Sequence, residues 1–291
     1  MGEFYAISCA LVWAFAVILF KRSGETVSPF ALNLFRVGIS LVVFMPLVAL
    51  SGQPWLPDLP ARDYLLLAAS GILGIAVSDT FFHRALNRLG AGLTAIVDAT
   101  YSPFIVVFAF GLLGERLNAL QLLGMLLVIT AVVLASYHHP RTHLPRRALF
   151  AGIAYGLAAM STVALAIVIA KPALKDSPVI WATTLRQVAT LAVMLPAALI
   201  HPQRRRLLGV FRPSPSWRFS LPGTLLGSCL ALLLWIAGMK YTQVGAAAIL
   251  NQTSTIFVLI LATLFLRERF TWVKLAAALL AIGGIVLVTQ G

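Results

Sequence analysis

Apolar residues along this chain run in long blocks and do not alternate with polar ones. Ten blocks stand out, near residues 4–20, 30–50, 64–82, 91–112, 119–137, 149–170, 179–199, 222–239, 245–266 and 272–288. A helix needs about 20 mostly apolar residues to cross the hydrocarbon core of a bilayer, and each block is close to that length. In lipid, every backbone N–H and C=O must be paired within its own segment or within a closed barrel. The alternating stretches of about ten residues that mark a barrel are missing, so the blocks predict helices. Turn chemistry separates several of them: Ser28-Pro29, Gly52 to Pro60, His138 to Pro145, Ser177-Pro178 and Pro202 to Pro215. No connection is long enough to hold a soluble domain, so any site must be built from the helices. Residues 4–20 lack a basic flank and a small-residue cleavage site, and read as a retained first span.

The blocks repeat. Leu34-Phe35-Arg36 and Leu41 to Pro46 are matched by Thr184-Leu185-Arg186 and Leu191 to Pro196 at an offset of 150, which Lys21 and Lys171 keep. Gly92 is matched by Gly245, and Leu113-Gly114-Glu115-Arg116 by Leu266-Arg267-Glu268-Arg269, at an offset of 153. The pattern predicts a first five-helix unit over 1–137, a linker over 138–146 and a second unit over 147–291. With an odd number of spans per unit, the second copy enters the membrane from the opposite side. Two inverted units offer two equivalent end states, which is a recurrent transporter design.

Composition and charge support this reading. Of the residues, 60% are hydrophobic and only 11% charged, against about 25% charged in soluble domains. A soluble core could not hide so much apolar surface. The net charge of +13 sits mainly in the connections, as membrane topology requires, and nucleic acid is not an expected partner. Cys9 and Cys229 lie singly inside apolar blocks and offer no metal-ligand spacing. No phosphate-binding loop, metal-binding histidine pair or nucleophilic serine motif is present. No catalytic residue, metal or cofactor is therefore expected. The expected partners are a small solute and membrane lipid.

Charged groups inside a bilayer cost at least about 2.5–3.5 kcal/mol each and call for a reason. Arg36, Asp79, Asp98 and Arg186 are such groups, and they balance in sign, so ion pairs holding helices together are one reading. Asp79 and His83 are four residues apart and share a helix face; His83 and Arg84 mark the end of the third span. Thr94, Asp98, Tyr101 and Ile105 form a stripe on the fourth span. The ninth carries Asn251, Gln252, Ser254 and Thr255, with Asn251 at an offset of 153 from Asp98. Mirrored polar groups in apolar helices are where a transporter's central site is expected. The substrate path is accordingly assigned to Asp98, Tyr101, Trp235, Asn251, Gln252 and Trp13. Asp79, Asp98 and His83 are the candidates for proton coupling. The mirrored Arg36 and Arg186 are expected to do equivalent work, each beside an acidic group, a carbonyl or an anionic substrate. Trp55, Trp181, Trp217 and Trp272 read as interfacial anchors, and the Glu115-Arg116 and Glu268-Arg269 pairs as structural turns. Arg204 to Arg206, Arg212 and Arg218 form the most basic stretch, suited to anionic lipid head groups.

Trp13, Leu34 to Arg36, Tyr101-Ser102-Pro103, Leu113-Gly114-Glu115-Arg116 and the following Gln121-x-x-Gly124 together resemble the EamA group of the drug/metabolite transporter superfamily, over the whole chain. The resemblance implies a ten-helix exporter or exchanger of metabolites, amino acids or drugs in the cell membrane, here a bacterial inner membrane. The sequence departs from the family pattern at Trp13-Ala14, where Trp-Gly is usual, at Ala159, where Trp13 has no second copy, and at Ser254-Thr255-Ile256, opposite Tyr-Ser-Pro. The second span carries no acidic residue, so the single essential carboxylate of the small four-helix relatives does not carry over. A membrane enzyme using Asp79, His83 and Asp98 as acid–base groups is the alternative.

Orientation divides the two lines of argument. The odd-numbered connections hold fourteen Lys and Arg, the even-numbered ones five. The positive-inside rule then puts both termini outside, whereas the resemblance implies cytoplasmic termini.

Overall fold

The computed structural model of the 291-residue chain describes residues 2–52, 54–113, 118–137, 145–235 and 250–290. All regular structure among them is helical. In chain order the helices are α1 (Gly2–Ser23), α2 (Pro29–Leu50), α3 (Ala61–Gly71), α4 (Ser78–Leu89), α5 (Ala91–Asp98), α6 (Tyr101–Leu113), α7 (Ala119–Tyr137), α8 (Arg146–Asp176), α9 (Val179–Ile200), the short α10 (Arg204–Leu208), α11 (Trp217–Thr224), α12 (Ser254–Leu266) and α13 (Trp272–Gln290). A π-helical segment, Ile72–Val77, fuses α3 to α4, and a second, Leu225–Ala231, extends α11.

Seven helical stretches are long and apolar enough to cross a membrane: Gly2–Ser23, Pro29–Leu50, Ala61–Leu89, Ala91–Leu112, Arg146–Leu174, Val179–Ile200 and Trp217–Trp235. Ala119–Ala135, Leu250–Leu266 and Trp272–Leu287 are shorter apolar helices. The chain is a multi-pass membrane protein. The third stretch runs beyond the expected 64–82, because Ser78 to Leu89 continues as helix until Gly90, whose φ of 81° opens the turn into α5. Of the polar residues that ended the apolar block, His83 is buried beside Arg36 of α2, Asn87 donates to the Gly24 carbonyl, and Arg84 and the exposed Arg88 lie over the Tyr155 ring of α8. The Glu115-Arg116 turn, the 138–144 part of the linker, Lys240 and Gly245 lie outside the described residues.

Along the first half of α1, side-chain size separates inside from outside. On α1, Ala6, Ala10 and Ala14 are buried while Phe4, Ile7, Leu11 and Phe15 are exposed. Lipid is as apolar as leucine, so helices associate by close approach of small residues and leave large ones to the acyl chains. α13 lies along α7 by the same rule: a Cβ on Gly284 would sit 2.6 Å from the Gly124 carbonyl. The Gln121-x-x-Gly124 motif thus has a structural account. Gly124 admits α13, and Gln121 exchanges hydrogen bonds with Asn118 (3.0 and 2.9 Å) as a capping box for α7. α1 packs on α11 and α12, α3 packs on α8 and α9, and α4 packs on α8. Trp55 and Trp272 are exposed, as anchors should be. Trp181, by contrast, is buried and donates to the Trp55 carbonyl, and Trp217 packs on Phe35.

Candidate functional site

The helical stretches Ala91–Leu112 and Leu250–Leu266 both break, and the breaks lie 153 residues apart. The Thr100 hydroxyl donates to the Val97 carbonyl at 2.8 Å, and the Thr253 hydroxyl to the Leu250 carbonyl. A threonine that bonds its own backbone competes with the helix ladder. Pro103 adds to the first break by lacking an N–H. Thr100 and Thr253 are 153 apart, and so are Asp98 and Asn251 beside them. The two π-helical segments begin at Ile72 and Leu225, again 153 apart. Such segments are frequent at functional sites. Asn33 serves the first of them, donating to the Ile75 carbonyl at 2.7 Å.

The two breaks and the second π segment line a cavity of ≈ 310 Å³, and Ser78 and Asp79, just after the first π segment, complete its wall. Asp79, Asp98, Tyr101, Trp235, Asn251, Gln252 and Trp13, all singled out in the sequence, line it together with Arg186. Ser254 and Thr255 also reach it. The sequence did not point to the walls supplied by Cys9 and Val17 of α1 or by Met160 and Val163 of α8. Nor did it point to Gly74 and Gly227, mirrored glycines in the π segments: a Cβ on Gly74 would lie 3.3 Å from the Arg186 guanidinium, and one on Gly227 2.9 Å from Ala16. Their spacing of 153 was the available signal. A second cavity of ≈ 180 Å³ adjoins the first, shares Trp13, Asp79, Arg186, Gly227 and Leu232 with it, and reaches Arg36.

Arg36 and Arg186 have different surroundings. Arg36 pairs with Asp79 at 3.1 Å, donates to Ser228 at 3.0 Å and lies over the Phe20 ring. Its Nη1 is 2.9 Å from His83 Nε2. Arginine only donates, so Nε2 accepts, leaving His83 neutral with its hydrogen on Nδ1. His83 is buried between Phe20 and Phe82 and lines neither cavity. Arg186 has no carboxylate within ion-pair distance among the described residues, and its Nε is buried without a partner. The reason lies in the repeat: the position 153 after Asp79 is Leu232. Asp98 is likewise unpaired among the described residues, as is the side-chain oxygen of Asn251.

Toward the end holding the odd-numbered connections, the helices are tied together. Arg267, in the left-handed conformation at φ 55°, ends α12 and turns Glu268 onto the start of α5. Glu268 accepts from the Ala91 and Gly92 N–H groups at 2.6 and 3.2 Å and pairs with Lys274 at 3.6 Å. Lys21 and Arg22 donate to the Asn87 and Phe265 carbonyls at 3.0 and 2.8 Å.

A sequence profile described as the EamA-like transporter family matches residues 1–137 and again residues 150–290. The chain belongs to the EamA-like transporter family. The transporter is 24% identical over 284 residues to an uncharacterized transporter of Archaeoglobus fulgidus, covering 97% of this chain and 95% of the relative. It is 22% identical over 287 residues to the uncharacterized transporter YetK of Bacillus subtilis, covering 98% and 86%. A shorter Sinorhizobium relative, an uncharacterized transporter in a cobO 3′ region, is 29% identical over 133 residues, which span 45% of this chain and 94% of that one. A solved crystal structure shares the fold of the transporter, with a TM-score of 0.70 at 18% identity, covering 99% of this chain and 96% of that chain.

Proposed function

We propose that this transporter is a secondary active exporter or exchanger of small zwitterionic metabolites, built as two inverted five-helix units over 1–137 and 147–291. The observation that carries the reading is the paired break beside Asp98 and Asn251 at the cavity wall. Discontinuous helices mirrored across a repeat interface are the usual frame of a transport site. Counting the three shorter apolar helices as spans gives the ten that the two units need. The Sinorhizobium relative, little longer than one unit, supports the unit as a module.

Charge favours a zwitterion. Arg36 and Asp79 satisfy each other, which leaves Arg186 and Asp98 on one cavity without an ion-pair partner among the described residues. A carboxylate on Arg186 and an ammonium on Asp98 would neutralise both, while a simple anion or cation would strand one. The apolar body would lie against Trp13, Tyr101 and Trp235. The volume is near the lower end for ligand pockets, which run from about 300 Å³. Asp98 is also the better of the two carboxylates for proton coupling, because Asp79 is held by Arg36. The acid–base enzyme reading is weaker, since Arg36 occupies both Asp79 and His83. The protein acts in the cell membrane, the inner membrane of a bacterium.

The test is flux in proteoliposomes. Radiolabelled amino acids, nucleosides and cationic dyes are each offered with and without a pH gradient. Gradient-responsive movement of an amino-acid-like zwitterion, with the response lost in Asp98→Asn, is expected. Movement of cations alone would reject the zwitterion, and a gradient response surviving in Asp98→Asn would reject the coupling role.

A further inference from the structure

Between α9 and α11 the chain forms a basic elbow that the transport site does not use. Arg204, Arg205, Arg206, Arg212 and Arg218 are all exposed on it, and none makes an ion pair among the described residues. The chain holds no acidic residue from Ser177 to Arg267, so no neighbour in sequence can neutralise them. The elbow is nevertheless built firmly. Leu207 and Val210 are buried against Ala31, Leu34, Phe35, Met194 and Ala198. The Trp217 indole donates to the Val210 carbonyl at 2.9 Å and packs on Phe35. Beside the elbow, Leu199 and Ile200 end α9 exposed, Ile200 to 84%, as acyl-chain neighbours.

We infer that this elbow is a binding surface for anionic phospholipid head groups. Its place decides the occupant: it joins two membrane-spanning stretches at the bilayer surface, where lipid head groups are the anions always at hand. Successive residues of a helix are fanned about 100° apart, so Arg204 to Arg206 spread over the surface and do not converge on one phosphate. That geometry suits several head groups side by side. Each basic residue near an anionic membrane surface adds roughly 1 kcal/mol, which is about fivefold in affinity.

The test uses the whole purified chain, delipidated in neutral detergent and titrated with dioleoylphosphatidylglycerol or dioleoylphosphatidylcholine, with bound lipid counted by native mass spectrometry. Preference for the anionic lipid is expected, falling by roughly fivefold for each arginine replaced in the series Arg204→Gln, Arg205→Gln and Arg206→Gln. The triple Lys variant is expected to keep it, and raised salt to shrink it. Equal affinity of the two lipids in the natural chain overturns the inference, whatever the variants do. So does a preference unchanged in the triple Gln variant. Displacement of lipid by soluble glycerol phosphate at matching concentration would point to an isolated anion site and also overturn it. Binding of polyglutamate without a lipid preference would assign the elbow to an acidic protein partner instead.

Discussion

At the residue scale, two arginines at matched places in a repeat have opposite electrostatic surroundings. Arg36 is neutralised by Asp79, and removing one member of a buried pair strands the other. Arg36→Gln is expected to lower stability by about 3–5 kcal/mol, read from thermal unfolding in detergent, and Asp79→Asn added to it should recover most of the loss. Equal stability of the single variant and the natural protein would mean that the pair is solvated. Arg186 has no carboxylate within ion-pair distance among the described residues, and Leu232 stands 153 residues after Asp79. Leu232→Asp should supply the missing carboxylate and weaken binding of a carboxylate-bearing solute roughly tenfold or more, the worth of one charged hydrogen bond. Unaltered affinity, measured by isothermal titration, would remove Arg186 from substrate recognition.

At the element scale, backbone irregularity marks the site. Two helix breaks and two π-helical segments, each pair 153 residues apart, lie along two adjoining cavities, the first π segment on the smaller one. The polar residues at those places were legible in the sequence, because polar groups in an apolar span need a reason to be there. The breaks themselves were not, since one threonine hydroxyl in a long apolar block looks like any other. Nor was the end of the third span: His83 and Arg84 read as a boundary, yet Arg36 gives His83 a buried partner and the helix continues. Glu268 also carries more than a turn. It caps α5 from the other half of the chain, which no local pattern reveals. Glu268→Ala is expected to cost about 1–2 kcal/mol, as for a lost helix cap, and to loosen the packing between α5 and α12. Hydrogen exchange at Ala91 and Gly92 checks this, and unchanged protection there would show that the cap does not hold the two helices together.

At the scale of the whole molecule, the ties by Glu268, Lys21 and Arg22 gather at the end of the odd-numbered connections, where the excess of basic residues also lies. By charge that end is cytoplasmic and the termini are outside. A reporter that works only in the cytoplasm, fused after the last residue, should therefore stay silent; a strong signal would favour the opposite orientation that the family resemblance implies. The proposed transport requires a cavity that opens to one side at a time, and labelling of the cavity wall measures that access directly. In a chain with Cys9 and Cys229 replaced by Ala, Gln252→Cys places one thiol on the cavity wall. A membrane-impermeant maleimide, applied separately to each face of oriented vesicles, should label it only from the face that carries the termini. Adding Glu268→Ala should raise labelling from the other face. Equal labelling from both faces at once in the resting protein would mean a continuous pore and contradict the account, as would a thiol that reacts from neither face but labels fully once the protein is unfolded.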